Sequence, residues 1–255
     1  MLPFHRFDGP EDAPVLLLSN SLGTTHEMWD PQLAAFTRHF RVLRYDRRGH
    51  GRSPVQPGPC TIEEVAGDVV ELLDTVGLDR VSYCGLSIGG MDAMWNAAHA
   101  PERIDRLVLC STSPHMPPRE LWDERAATVR EHGTEAVADG TMERWFSDEF
   151  RAAEPEVVAR VRAMVASTPA EGYASCCEAI RDWDFRGELG RISAPTLVLS
   201  AAADPSTPPE AGRAIADGIQ GASFAVLSAP TRHLSNWERP EEFATTVLEH
   251  LLLDV

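Results

Sequence analysis

Val81-Ser82-Tyr83-Cys84-Gly85-Leu86-Ser87-Ile88-Gly89 joins two kinds of pattern at one corner. The first four residues form an apolar run of strand length. The rest spell Gly-x-Ser-x-Gly, and from Ser87 to His99 the chain reads as a helix. A serine at such a corner sits on a strained turn. Gly85 and Gly89 leave room for strand and helix to close around it, and its hydroxyl stands out of the sheet at the positive end of the new helix. The five-residue pattern alone is a weak signal; its place between a strand and a helix gives it weight.

Outward from this corner, further apolar runs read as strands: Val15 to Ser19, Phe40 to Tyr45, Leu107 to Cys110, Thr196 to Ser200 and Ser223 to Leu227. Near-continuous apolar runs suit strands covered on both faces, as in a parallel sheet. Helical periodicity lies between them. Thr61 to Val76 carries Ile62, Val65, Val69, Leu72 and Leu73 on one face, with Thr61 and Glu64 spaced as a capping box. Pro209 to Ile219 and Pro240 to Leu252 also read as helices. Strands alternating with helices predict an α/β fold, a mostly parallel sheet with helices on both faces. The alternation stops at about residues 115–190, where helical patterns recur without a strand: Leu121 to Glu131, Ala136 to Phe146, Glu154 to Ser167 and Ala170 to Asp182. The expected organisation is a core of residues 1–114 and 191–255 with an inserted helical cap, 115–190.

Composition narrows the function classes. The 255 residues are 43% hydrophobic and 24% charged, an ordinary globular balance. A net charge of −16 and a pI near 4.9 disfavour nucleic acid and anionic lipid as partners. No apolar run approaches the roughly 20 residues that span a bilayer. Met1 to Asp8 lacks a basic stretch followed by an apolar one, so no signal peptide is expected. Five cysteines without metal-ligand spacing read as reduced thiols, and the expected location is the cytoplasm.

A serine needs a base, and the base needs an acid to orient it. Asp204 follows the run Thr196 to Ser200, and His233 follows Ser223 to Leu227, just before a helix. By itself Asp204-Pro205 is an ordinary turn start, and His233 is one of nine histidines. Together with Ser87 they fill three roles in the chain order serine, acid, histidine, each at the C-terminal end of a strand, where open α/β sheets place their crevice. Asp182 and Asp184 are rival acids, placed in the cap and at its exit. Two backbone N–H groups should hold the oxyanion: that of Ile88, and one from Asn20-Ser21-Leu22-Gly23, where Leu22 is chosen by position. Asp46-Arg47-Arg48-Gly49-His50-Gly51-Arg52-Ser53 reads as a bracing loop in which Asp46 and the arginines form internal ion pairs and His50 is structural. It lacks the Lys-Ser/Thr ending of a phosphate loop. No metal spacing and no dinucleotide fingerprint is present, so neither metal nor cofactor is expected.

Several of these segments resemble the 3-oxoadipate enol-lactonases, hydrolases of the α/β-hydrolase fold that act in the protocatechuate branch of aromatic degradation. They are Ser19 to Thr24 with Trp29, Cys84 to Met91, Ala100 to Ile104, Gly172 to Asp182, Asp204 to Pro209 and His233 to Asn236. Asn20-Ser21 stands where most relatives of the fold carry His-Gly, a departure shared with the lactonase group. Pro230-Thr231-Arg232 and Trp237 depart from it around His233. The resemblance implies opening of the ring ester of 3-oxoadipate enol-lactone, a small molecule with a free carboxylate. Arg144 is the candidate to pair with that carboxylate, and Trp145 to cover the ring. A broader carboxylesterase or lactonase, or a carbon–carbon hydrolase of the same fold, is the alternative. From another class, a ligand-binding protein on a hydrolase fold would have no need of all three of Ser87, Asp204 and His233. Oligomeric state is left open by the sequence.

Overall fold

Burial on both faces turns the apolar runs into strands. The computed structural model describes residues 2–253. Among them are seven strands: β1 (His5–Asp8), β2 (Val15–Ser19), β3 (Arg41–Tyr45), β4 (Val81–Leu86), β5 (Ile104–Cys110), β6 (Thr196–Ala201) and β7 (Ser223–Leu227). They form one sheet in the order β1-β3-β2-β4-β5-β6-β7. Every pairing is parallel except β1 with β3, where His5 faces Tyr45. All six residues of β4 are buried, and Leu16, Leu17 and Leu18 of β2 are fully enclosed. Each enclosed side chain contributes roughly 1.5–3 kcal/mol by leaving water.

The two edges depart from the sequence reading. β1 carries Arg6 and Asp8 among its four residues, too short and polar to register as an apolar run. β7 was expected to be covered on both faces; it lies at the opposite edge, with Ser223 and Val226 exposed. An edge strand needs an apolar face only toward its one layer of helices.

The helices are α1 (Asp30–Phe36), α2 (Ile62–Thr75), α3 (Ile88–His99), α4 (Arg119–His132), α5 (Glu135–Trp145), α6 (Asp148–Ala153), α7 (Pro155–Ala166), α8 (Ala170–Arg181), α9 (Pro209–Gly218), α10 (Ser235–Glu238) and α11 (Pro240–Leu251). At α2 the Thr61 hydroxyl accepts from the Glu64 N–H and the Glu64 carboxylate accepts from the Thr61 N–H, the expected capping box. Helices α4 to α8 occupy the stretch between β5 and β6, and its two ends are fastened together. His115 and Asp184 form an antiparallel bridge, Phe185 N–H donates to the Pro114 carbonyl at 2.7 Å, and the Trp183 indole donates to the Ser113 carbonyl at 2.9 Å. Short α6, held by its Ser147 cap, and α1 were not read from the sequence. The five cysteines are free and buried. Among the described residues no helix is long and apolar enough to cross a membrane.

Candidate active site

Ser87 takes φ 62° and ψ −121° between β4 and α3, a conformation that costs a side-chain-bearing residue on the order of 1–3 kcal/mol. Its surroundings over-determine it. The Ser87 N–H donates to the Cys110 carbonyl at 2.9 Å, and its carbonyl accepts from Thr112 Oγ1 at 2.7 Å and Gly90 N–H at 2.8 Å. A Cβ on Gly85 would overlap the Gly89 carbonyl, and one on Gly89 would overlap that of Ser19, so this corner closes only with glycine at both places.

Beneath the corner lies a buried polar network. Arg47 donates to Asp92 Oδ2 at 2.7 Å, to Ser19 Oγ at 3.1 Å and to the Asn20 carbonyl at 2.9 Å, while Tyr83 donates to Asp92 Oδ1 at 2.6 Å. Burial works against charge on Arg47, but the Asp92 carboxylate and the neighbouring groups together outweigh it and hold the guanidinium above its ordinary range. Asp92 belongs to α3 and Asn20 to the loop after β2, so this ion pair ties the helix of the serine to the loop facing it. Arg48 pairs with Asp68 at 2.5 Å. Asp46 differs from the expectation: its partners are the His26 imidazole and backbone N–H, at 2.8 and 2.7 Å, and the Arg52 N–H. The arginines beside it reach other acids because their long side chains leave the loop in different directions.

In the loop after β2, Ser21 N–H points to Met28 Sδ at 3.3 Å and Gly23 N–H donates to His50 Nε2 at 3.0 Å. His50 can accept there only as the neutral tautomer that donates from Nδ1 to the Arg48 carbonyl, at 3.0 Å. Burial supports this by pushing its pKa down to about 4. Gly23 has φ 77° and packs under the Tyr173 ring, where no Cβ would fit. Between these tethers the Leu22 N–H has no acceptor among the described residues, and neither has that of Ile88. Met28 is itself held, its carbonyl accepting from Asn236 and from the Trp237 indole at 2.9 and 2.7 Å.

Asp204 and His233 meet across the ends of β6 and β7. Asp204 Oδ1 accepts from the N–H groups of Ser206 and Thr207, at 2.8 and 3.1 Å; Oδ2 accepts from Thr207 Oγ1 and His233 Nδ1, both at 2.7 Å. A carboxylate receiving these donors requires the proton on Nδ1, which leaves the Nε2 lone pair free to accept another. Both residues are almost completely buried. Ser87, Leu22 and His233 border one cavity of about 210 Å³. The rival acids lie elsewhere, Asp182 with Arg181 and Arg119, and Asp184 with Arg186, all on the exposed face.

The opposite wall of this cavity comes from α4, α5 and α8. Arg144 and Trp145 both line it, and the Trp145 ring lies 6.0 Å from that of His233. Sequence reasoning missed Arg125, which lines it too. Arg125 donates to the Tyr173 hydroxyl at 2.6 and 2.8 Å and to Thr141 Oγ1 at 2.8 Å, and Arg144 donates to the same Thr141 oxygen at 3.2 Å. Two guanidinium groups thus share one hydroxyl. Burial and then the charge of Arg125 push the pKa of Arg144 down. Every other arginine between residues 115 and 190 has a carboxylate partner; among the described residues Arg125 and Arg144 have none. The buried Trp122 indole N–H, also at this cavity, lacks an acceptor as well. Such a cluster of donors is chemically suited to receive an anion. No spacing rule separates Arg125 from its paired neighbours, because several of those pairs, such as Arg130 with Glu171 and Arg162 with Glu135, form between helices.

The residues before His233 fasten this wall to the His233 loop. Arg232 donates to the carbonyls of Glu143 and Phe146 at the end of α5, and its own N–H donates to Glu238 at 2.8 Å. Leu234 N–H donates to the Trp145 carbonyl at 3.1 Å. The stretch that departs from the lactonase pattern is therefore a fastener between α5 and the His233 loop.

Comparison with known proteins shows the family of the chain. The family model of the alpha/beta hydrolase fold matches residues 14–240. The chain is 40% identical over 235 residues to 3-oxoadipate enol-lactonase 2 of Acinetobacter baylyi, covering 92% of this chain and 87% of that one. The enol-lactonase structure from Burkholderia xenovorans LB400 superposes with a TM-score of 0.95 at 44% identity, covering 98% and 96% of the two chains. A thermophilic esterase from Thermogutta terrifontis, solved with malate bound, does so with 0.89 at 31% identity, covering 97% and 92%. The chain belongs to the α/β-hydrolase fold family and, within it, to the group that holds the 3-oxoadipate enol-lactonases.

Proposed function

We propose that this chain opens the ring ester of 3-oxoadipate enol-lactone to give 3-oxoadipate, with Ser87 as nucleophile, His233 as base and Asp204 as the acid that orients it. The observation that carries this reading is the 2.7 Å contact from His233 Nδ1 to Asp204 on the cavity that Ser87 borders. Residues 1–114 and 191–255 act as the catalytic core, and 115–190 as the cap that selects the substrate.

Ser87 Oγ attacks the lactone carbonyl as His233 Nε2 takes its proton, and Asp204 stabilises the imidazolium. The N–H groups of Leu22 and Ile88 receive the oxyanion. The ring C–O bond then breaks, His233 returns the proton to the leaving enolate, and the enol tautomerises to the ketone on the acyl-enzyme. Water, deprotonated by His233, attacks the acyl carbon; Ser87 leaves and regains its proton. Arg144, joined by Arg125, pairs with the free carboxylate, and Trp145 covers the ring. The names of the A. baylyi and B. xenovorans relatives support this substrate. The acidic surface repels it at long range, so recognition rests on these local cations.

The test is steady-state hydrolysis of 3-oxoadipate enol-lactone against an uncharged five-membered lactone. Ser87→Ala should lower kcat on the order of 10⁴-fold or more. Turnover near wild type in that variant overturns the mechanism. Equal kcat/KM on the two lactones would favour the broader esterase reading instead.

A further inference from the structure

The tethers of the loop after β2 leave two donors over. From Ser21 to Gly23, the Ser21 N–H has Met28 Sδ, the Gly23 N–H has His50 Nε2, and the Ser21 carbonyl accepts from Thr24 Oγ1 at 2.8 Å. What remain are the Leu22 N–H and the Ser21 hydroxyl. Ser21 is 1% exposed, its Oγ has no hydrogen-bond partner among the described residues, and the residue borders the cavity that also holds Ser87 and His233. A buried hydroxyl that no protein group satisfies carries a desolvation cost, and native proteins seldom keep one without a use for it.

Covalent structure gives the use. Four bonds separate Ser21 Oγ from the Leu22 nitrogen, and both residues line the cavity of Ser87, so the two donors sit on one short segment beside a common acceptor position. We propose that the Ser21 hydroxyl is a third donor to the oxyanion, bonding the former carbonyl oxygen once Ser87 has added to the ester. It moves no proton in the reaction. Its partner gains full charge only at the transition state, so the bond acts on kcat and leaves ground-state binding almost unchanged. The proposal rests on Ser87 being the nucleophile.

Two measurements on Ser21→Ala, made on the full chain, test it together. The first is steady-state kinetics on 3-oxoadipate enol-lactone and on p-nitrophenyl acetate. We expect kcat to fall about 100- to 1,000-fold on both, with KM within about twofold, as for loss of one oxyanion donor. The second is thermal unfolding. Removal of an unpaired buried hydroxyl should leave Tm unchanged or raise it, whereas a hydroxyl with a structural role would lower Tm along with activity. The proposal is overturned by kcat within twofold of wild type, by a loss confined to KM, or by a lowered Tm. Ser87→Ala run in parallel separates the two levels. An active Ser87→Ala defeats the nucleophile assignment itself, while an inactive one beside a fully active Ser21→Ala defeats the third donor alone.

Discussion

The cavity has two walls built by different rules. On the core side, Ser87, Leu22 and His233 hang from strand ends, and their backbones are held by turns, close-packed glycines and a buried ion pair. On the cap side, Trp122, Arg125, Arg144, Trp145 and Tyr173 project from ordinary helices and are positioned by contacts between α4, α5 and α8. The core wall spends conformational strain on aiming single atoms. The cap wall carries no comparable strain and instead leaves two cations without carboxylates. On the proposed mechanism chemistry and selection are thereby separated, and substitutions on the two walls should fail in different ways.

The largest expected effect tests the core wall. Asp204→Asn should lower kcat about 10⁴-fold on charged and uncharged esters alike, because the amide no longer selects the Nδ1–H tautomer of His233. A loss restricted to the charged substrate would merge the two walls.

Arg125→Ala and Arg144→Ala should each lower kcat/KM for the carboxylate-bearing lactone about 10- to 100-fold, the loss of a charge-assisted hydrogen bond. The uncharged lactone should change by no more than about threefold. Equal losses on both would show that these arginines only hold the cap together.

His50 offers a pH test of the loop facing Ser87. In the unfolded chain it takes a proton near pH 6.5, in the folded one only near pH 4. Unfolding therefore takes up a proton between these values. Its contribution is complete above pH 6.5 and is lost as pH falls through 4, by about 3 kcal/mol. Urea unfolding across this range should show that fall, and His50→Gln should flatten it.

The smallest effect concerns the fastener. Arg232→Ala should reduce kcat/KM by roughly three- to tenfold, about the worth of one net hydrogen bond, and should loosen the seating of α5. Hydrogen exchange of the amides of Phe146 and Leu234 checks this; unchanged protection would remove Arg232 from the link between cap and base.

The two walls were also unequally legible. A nucleophile corner, a capping box and strand runs are written in residues that touch their sequence neighbours, so backbone geometry and periodicity expose them. Ser87, Asp204 and His233 could be ordered along the chain because each follows an apolar run, and the sheet brings strand ends to one edge. Two strands escaped this reading in part: β1 because four residues with Arg6 and Asp8 have no apolar face to announce, and β7 because an edge strand and a covered one share the same apolar run.

What the sequence by itself determined is local: a serine at a corner that closes only with Gly85 and Gly89, followed in order by an aspartate and a histidine, each after a strand. What only the tertiary structure decided is which polar groups remain unsatisfied. Among the described residues, Arg125 and Arg144 differ from the other arginines of the 115–190 segment in having no carboxylate partner, and Ser21 is marked by a buried hydroxyl without a hydrogen bond, at the cavity of Ser87. A partner is supplied by whichever element packs nearby, and often that element lies far away in the chain. Its absence is therefore a property of the packed molecule, which no window of residues contains.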